Sequence, residues 1–451
     1  MEYVTLREKK VPVTKNADVI VCGGGPAGIA AALGAARCGG KTLLVERIGF
    51  LGGIATAGLN CTYMGWDRNV VGGVAAEILD RLALQKKAME GFHSPFDAEA
   101  FKFTTMKMLV ESGVDILFHS SAVDVVQAET GEIGVVMIHN KSGFQAIRTR
   151  IVVDATGDAD VAALAGAKTI DDVPVEAKQP VSTLFRLGGV AIEETVAYIR
   201  RNPSEMHQWP LKCLIRDDMD PPVIMISGFF DCFKKAIADS DGAFNPERAA
   251  FGMTVLPNGM VLVNGTRMHG VDGTSSADIS RAEVELHGQM ETLVRFMVEY
   301  IPGFKAAYLI DSAAVVGVRE SRRILGEYVL QEKDLLEGAH FVDAIGRNNC
   351  PMDIHGPPES PKDHRWVVLD AYYQLPYRAL LPVGTKNLLV AGRCISATFE
   401  ANSSSRSIPC CMTTGLAAGV AAALASGESL PLREIDVNAL QSSLVRQKAI
   451  I

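Results

Sequence analysis

Among the nine cysteines there is no Cys-x-x-Cys pair and no Cys/His cluster at zinc spacing, which excludes a dithiol redox centre and a structural metal. Aromatic residues are scarce, at 6% of the chain. Positive charge is outweighed, with 44 Lys plus Arg against 52 Asp plus Glu and a formal charge of −8. Nucleic acid or an anionic membrane surface calls for a basic stripe, so neither is an expected partner. Met1–Asn16 shows no charged-then-apolar leader. With an odd cysteine count and the adjacent Cys410 and Cys411, this predicts a reducing, cytoplasmic compartment. One uncharged stretch, Val19–Ala36, has the length of a membrane span, but Gly23-Gly24-Gly25-Pro26 within it would break a helix in lipid. Repeats and low-complexity tracts are absent. What is present is length and apolar content: 451 residues at 48% hydrophobic, enough for roughly two to four folding units of about 100–200 residues.

The first periodic unit is Asp18-Val19-Ile20-Val21-Cys22, a β-branched run suited to a buried parallel strand. A glycine turn follows, then an alanine-rich helix over Ile29–Arg37 stopped by Gly39-Gly40, then a strand over residues 41–46 ending in Glu46. Helical patterns recur at residues 73–87 and 97–112, and a short strand at residues 113–118. Alternating segments at 122–138 and 144–150 predict a small antiparallel sheet, and Ile151-Val152-Val153-Asp154-Ala155 returns to the parallel pattern. From about residue 168 to 370 the chain gathers most of its prolines, Trp209 and Trp366, and reads as an insertion. A buried strand at residues 387–392 and a small-residue helix at 412–425 close the first fold. The expected architecture is α/β: a Rossmann-like domain with a parallel sheet, built from 1–166 and 375–451, carrying an inserted α+β substrate or cap domain at 167–374.

Gly23-x-Gly25-x-x-Gly28 stands after a strand and opens a helix. Gly23 permits the tight turn and Gly25, followed by Pro26 and Ala27, lets the backbone approach a pyrophosphate. Gly28 lets helix and strand pack closely. The helix N-terminus offers free N–H groups and a positive dipole end. Glu46 lies 46 − 28 = 18 residues further, near the roughly 20 expected for an acid that accepts a ribose hydroxyl. Such an acid leaves no room for a 2′-phosphate, so FAD or NAD is expected rather than NADP.

Together Gly23–Gly28, Glu46-Arg47, Gly52-Gly53, Asp154-Ala155-Thr156-Gly157-Asp158 and Asn387-Leu388-Leu389-Val390-Ala391-Gly392-Arg393 resemble the FAD-dependent oxidoreductase family of the two-dinucleotide-binding-domain flavoproteins, relatives of the fumarate-reductase flavoprotein group. The likeness extends to Arg319-Glu320-Ser321-Arg322-Arg323-Ile324 and Pro351-Met352-Asp353-Ile354-His355. It implies FAD, with Gly52, Gly53, Ala55 and Thr56 along the flavin and Val123 presenting backbone to the adenine. It further implies Ala155, Thr156 and Gly157 beside the dinucleotide, and Gly392 and Arg393 by the ribityl chain and pyrophosphate. Many relatives carry Asp or Glu where Arg393 stands, and a cation cannot accept ribityl hydroxyls, though it pairs with phosphate. A helix starting near Met412 would place Thr413, Thr414 and Gly415 in its first turn, its dipole favouring the charge of reduced flavin. The alternative is a helix of small residues used only for packing.

No second Gly-x-Gly-x-x-Gly unit occurs, so electrons are expected from a substrate, a carrier protein or transiently bound NAD(P)H. The stretch Ala391-Gly392-Arg393-Cys394-Ile395 lacks the Gly-Asp followed by His and Pro associated with aromatic hydroxylases. Arg319 and Arg322 are candidates to orient a substrate, with Glu320 and Arg323 read as a structural ion cluster. His355, in a loop of turn formers with Asp353 nearby and Pro357-Pro358 following, is the candidate proton donor. Asn264 and Arg267 are expected to cap turns, Cys61 and Cys410-Cys411 to fill space, and Trp366 with Tyr372-Tyr373 to wall the pocket or a contact with a second copy of the chain. The expected activity is hydride transfer between flavin and a small polar organic molecule. The rivals are an oxygen- or NAD(P)H-dependent monooxygenase and a non-catalytic FAD subunit of an electron-transfer complex.

Overall fold

In the opening strand, Val13–Cys22, the last four side chains are all buried, as the β-branched run requires of a central strand. It pairs in parallel with Thr42–Val45 on one side and Gly143–Asp154 on the other. Cys22 is level with both Val45 and Asp154, so Gly23, Glu46 and Ala155 emerge side by side from the carboxyl edge, where ligands bind in open α/β sheets. Asp115–Leu117 extends the sheet outward and Leu388–Val390 joins it beside Val152–Asp154, both in parallel. This computed structural model describes residues 10–91, 93–207, 214–215, 223–241, 244, 246, 250–356 and 365–451. Trp209, Pro357-Pro358 and the first nine residues of the segment read for a leader lie outside them.

The stretches expected as separate strands at 144–150 and 151–155 form one continuous strand, Gly143–Asp154. Its first half pairs antiparallel with Ile133–Asn140, which pairs in turn with Ser121–Gln127, while its second half serves the parallel sheet. No turn-forming residue separates Arg150 from Ile151, so nothing interrupts the run.

Helix Pro26–Arg37 lies against helix Ile408–Glu428 at backbone contact distance, because a Cβ on Gly415 or Gly419 would fall 2.1 Å from the Ala27 carbonyl oxygen or 1.9 Å from that of Ala31. The longer helix is apolar enough to cross a membrane by composition, yet nearly all of it is buried in this core.

The insertion forms a six-stranded antiparallel sheet in the order Leu214–Ile215, Val223–Gly228, Phe251–Val255, Val261–Asn264, Phe185–Gly188, Tyr308–Ser312. One face packs on helices Ile192–Arg201, Phe230–Asp239 and Ser276–Tyr300 through Phe185, Phe229, Phe233, Phe251 and Phe296. Each such ring contributes about 1.5–3 kcal/mol of burial. The sparse aromatics are concentrated here, with Phe229 stacked on Phe251 at 4.7 Å. Strand alternation sends Met225, Ser227 and Gly252 to the opposite face, toward the nucleotide domain. The core does not follow the expected boundaries at 167 and 374. Ile345, Met352 and Tyr373, placed in the insertion by sequence, belong to the same apolar cluster as Val19 and Leu416. Their strands, Ala344–Asn348 and Tyr373–Pro376, pair with each other, and the first of them packs on the long C-terminal helix.

Candidate active site

A cavity of about 520 Å³ runs from the carboxyl edge of the parallel sheet to the inner face of the insertion sheet. At the first end the three glycines hold three different positions. Gly23 has φ +103°, and its Cβ would sit 2.4 Å from the Ala155 carbonyl oxygen. A Cβ on Gly28 would meet the Gly23 carbonyl oxygen at 1.7 Å, so this glycine seals helix to turn and does not face the cavity. Gly25 is different: its Cβ would meet nothing nearer than the Gly53 Cα at 3.9 Å. It opens a helix whose N-cap has no side-chain partner and whose first turn holds no acid, leaving N–H groups and the positive dipole end for an anion.

Glu46, buried at 6% exposure, accepts the Gly24 N–H at 2.5 Å and the Ile48 N–H at 2.9 Å. Its carboxylate is thereby fixed against the glycine turn, with lone pairs to spare for a hydroxyl. Arg47 follows it at the exposed rim of the cavity. Across the turn, Asp154 is fully buried and accepts from the Thr156 N–H (3.0 Å), the Thr156 hydroxyl (2.7 Å) and the Ala162 N–H (2.8 Å). Burial pushes its pKa up while these bonds pull it down. The network fixes Ala155, Thr156 and Gly157 along the cavity.

Arg393 lines the cavity beside Gly392 and donates to Asp158 at 2.6 Å and to the Ser321 hydroxyl at 2.9 Å. Burial raises the Asp158 pKa, but Arg393 and Ser321 outweigh it and hold the carboxyl below its ordinary value. Arg393 is thus paired with an acid, Asp158, that also lines the cavity.

Several sequence expectations are corrected here. Helix Ile408–Glu428 begins one turn earlier than expected, with Ser407 as N-cap and Pro409 in the first turn. Ser407 followed by a proline was the available signal. Thr414 and Gly415 are therefore interior to the helix and away from the cavity. Thr414 accepts the Gly392 N–H and donates to the Cys411 carbonyl, and Gly415 packs on Ala27. The cavity reaches Ser120, Ser121 and Ala122 and stops short of Val123. Gly53 lines it, whereas Gly52, Ala55 and Thr56 stand behind, Gly52 at φ +112° and Thr56 donating to the Leu51 carbonyl. Arg322 is not in the wall either. It donates to the Asp158 carbonyl and pairs with Asp160, clamping the insertion to the nucleotide domain. Arg323, 1% exposed, is clasped by Glu320, Asp172 and the Ala397 carbonyl.

At the far end the wall is made by Ser182, Asn264, Arg319, Asp353, His355 and Trp366, with Leu184, Met225 and Val316 as apolar neighbours. Arg319 donates to the Pro180 carbonyl (2.7 Å) and the Ser182 hydroxyl (3.0 Å). Arg267, expected only to cap a turn, reaches Nδ1 of His355 at 3.1 Å, while Nε2 of His355 meets Asp353 at 3.1 Å. A guanidinium can only donate, so Nδ1 accepts and Nε2–H donates to Asp353. Burial first, with Arg319 and Arg267 adding to it, lowers the His355 pKa from 6.5 to about 3 despite Asp353. A neutral imidazole whose one N–H is held by Asp353 has no imidazolium proton to give. His355 is thus a fixed strut holding Arg267 and not the proton donor expected. Cys61 is buried away from the cavity with its thiol pushed up to about 12, burial being the main cause. Among the described residues no His/Cys/Asp/Glu group could hold a metal.

The lowered His355 pKa has a sign that can be measured. Between about pH 6.5 and about 3 the unfolded chain binds a proton there that the native state refuses. Its contribution to stability is complete above about 6.5 and is lost as pH falls, at roughly 1.4 kcal/mol per pH unit. Denaturant titrations from pH 7 to 4 should show a shallower acid limb for His355→Gln. An unchanged slope would contradict the neutral assignment.

These features first define a class: a Rossmann-type dinucleotide-binding protein whose cofactor end opens onto an inserted antiparallel sheet. The chain belongs to the FAD dependent oxidoreductase family, whose model matches residues 18–444. It is an enzyme whose cofactor is FAD, and the open cradle at Gly25 fits that group. It is 32% identical over 166 residues to the thiamine thiazole synthase of Methanococcus aeolicus, covering 34% of this chain and 60% of that protein. It is 34% identical over 172 residues to the thiamine thiazole synthase of Archaeoglobus fulgidus, covering 36% and 62%. The match thus spans about 60% of the length of these relatives. Among solved structures, a geranylgeranyl bacteriochlorophyll reductase-like protein of Thermoplasma acidophilum aligns at a TM-score of 0.48 and 15% identity, covering 96% of this chain and 84% of that one. The p-nitrophenol 4-monooxygenase of Pseudomonas putida aligns at 0.48 and 11%, covering 96% and 85%.

Proposed function

We propose that this enzyme transfers hydride between FAD and a carbon of a small polar organic substrate seated against the insertion sheet. The observation that carries this reading is the continuity of one cavity from Gly25 and Glu46 to Ser182, Asn264 and Arg319. The backbone at Gly25 and the N–H group of Ala27 would hold the diphosphate, and Glu46 a ribose hydroxyl. Bound FAD supplies two-electron hydride chemistry. The chain's own residues supply position: Ser182 and Asn264 offer hydrogen bonds, and Arg319, tethered through Ser182, turns a substrate in one orientation. His355 and Asp353 keep Arg267 in place behind that wall. With His355 neutral and the arginines permanently charged, none of these side chains among the described residues releases a proton near pH 7.

The test is anaerobic mixing of the FAD-loaded protein with a panel of metabolites, followed by flavin bleaching. Bleaching by a small molecule at a rate matching turnover is the expected result. A flavin reduced only by NAD(P)H that then yields a hydroxylated product with oxygen would overturn the reading in favour of a monooxygenase. A flavin that exchanges electrons only with a carrier protein would overturn it in favour of an electron-transfer subunit.

A further inference from the structure

We propose that Arg406 is the docking point for a carboxylate, and that the substrate is an organic monocarboxylate with an apolar body. The proposal rests on the hydride-transfer reading above for the identity of the occupant as substrate. Arg406 lines the cavity immediately before the N-cap Ser407 of helix Ile408–Glu428. One amino group, Nη2, is clamped: it donates to the Asp353 carbonyl at 3.0 Å and to the Gln179 side-chain oxygen at 3.4 Å, with the Asp353 carboxylate at 3.7 Å. The other, Nη1, makes no hydrogen bond among the described residues. A guanidinium held through one amino group and open at the other is preorganised for an anion, with little side-chain entropy left to lose.

Its reach favours substrate over cofactor. Arg406 belongs to the nucleotide domain, and its bonds go to Gln179 of the insertion and to Asp353, two residues before His355. Its head therefore stands at the end with His355 and Arg319, away from the Gly25 turn. Charge agrees with this: the described residues bring Arg267, Arg319 and Arg406 around the single carboxylate of Asp353 and a neutral His355. The helix that follows has no acid in its first turn and no side-chain cap, so its dipole adds to the same field. Beyond these cations Leu184, Met225, Val316, Val318 and Trp366 interleave with Ser182 and Asn264, a wall that suits an apolar body bearing a hydrogen-bonding group better than a second full charge.

The experiment uses the FAD-loaded full chain and the visible flavin spectrum as reporter, with phenylacetate, phenylacetamide and succinate as non-reacting probes. Phenylacetate should shift the spectrum saturably, with a dissociation constant at least about tenfold lower than either of the others. Arg406→Met should weaken phenylacetate at least about tenfold and Arg406→Lys by less. FAD content of each variant, checked by absorbance ratio, shows that it has folded. Three results overturn the proposal: phenylacetate bound equally well by Arg406→Met, succinate bound as tightly as phenylacetate, or an Arg406→Met flavin whose reduction potential falls while phenylacetate affinity stays. The last would reassign Arg406 to the cofactor. A protein that binds phenylacetate through Arg406 but is bleached by no small molecule would fail the hydride reading and leave the carboxylate site standing.

Discussion

Valine at position 25 is expected to leave a folded protein that no longer holds FAD. Gly25 sits at φ −73° and ψ −174°, extended backbone that any residue adopts, and its Cβ would meet nothing within ordinary contact distance except the Gly53 Cα at 3.9 Å. The substitution therefore costs the apo fold little. The new isopropyl group projects instead into the cavity at the start of helix Pro26–Arg37, where the diphosphate must approach the backbone. FAD affinity should fall by at least about 100-fold, equivalent to about 2.7 kcal/mol. Apo melting temperatures should match. Cofactor fluorescence on dilution and calorimetry of the stripped proteins read the two effects separately. Gly28→Ala is the contrast, since its Cβ would stand 1.7 Å from the Gly23 carbonyl oxygen and must damage the fold itself. If Gly25→Val kept FAD at wild-type affinity, the cradle would be misplaced.

Gly415→Ala is expected to destabilise the protein by about 3 kcal/mol or more, with or without FAD. The added methyl would fall 2.1 Å from a backbone oxygen of Ala27, and neither helix can yield without disturbing the sheet both pack on. Overpacking of this kind usually costs about 1–3 kcal/mol, and contact with rigid backbone puts this case at the upper end. Gly427→Ala in the same helix meets nothing within 4 Å and should stabilise by about 0.5–1 kcal/mol through helix propensity. Equilibrium unfolding of the apo proteins in urea compares the two. Equal stability would mean that the helices have freedom the contacts deny. A selective loss of FAD in Gly415→Ala, with stability intact, would restore the cofactor role expected of this glycine from sequence.

The two substitutions also mark where sequence reasoning ran out. The strand, turn and helix from Val13 to Arg37 could be read directly because each is local: a β-branched run, three glycines at fixed spacing, and alanine periodicity stopped by Gly39-Gly40. The helix start at Ile408 could have been read from Ser407 and Pro409, but the small residues after Met412 looked the same whether they faced a ligand or another helix. Arg322 and Arg319 could not be told apart either. Three positions apart in an irregular segment, one pairs with Asp160 and the other lines the cavity, and neither partner is near in sequence. The proton role expected of His355 failed for a related reason. Asp353, two residues away, was visible in the sequence, but Arg267, 88 residues away, occupies the other ring nitrogen.

By itself, the order of residues determined the nucleotide end. Turn geometry, helix polarity and the acid closing the second strand are set within a few dozen neighbouring residues, and parallel pairing brings them level without choice. Only the tertiary structure decided the other end. There the nucleotide domain and the insertion face each other, and residues 137 positions apart share one wall, as with Ser182 and Arg319. Which of them points inward depends on strand alternation and on which buried charge finds a partner first. Burial without a compensating charge then decides protonation, and so the division of labour between His355 and the arginines around it.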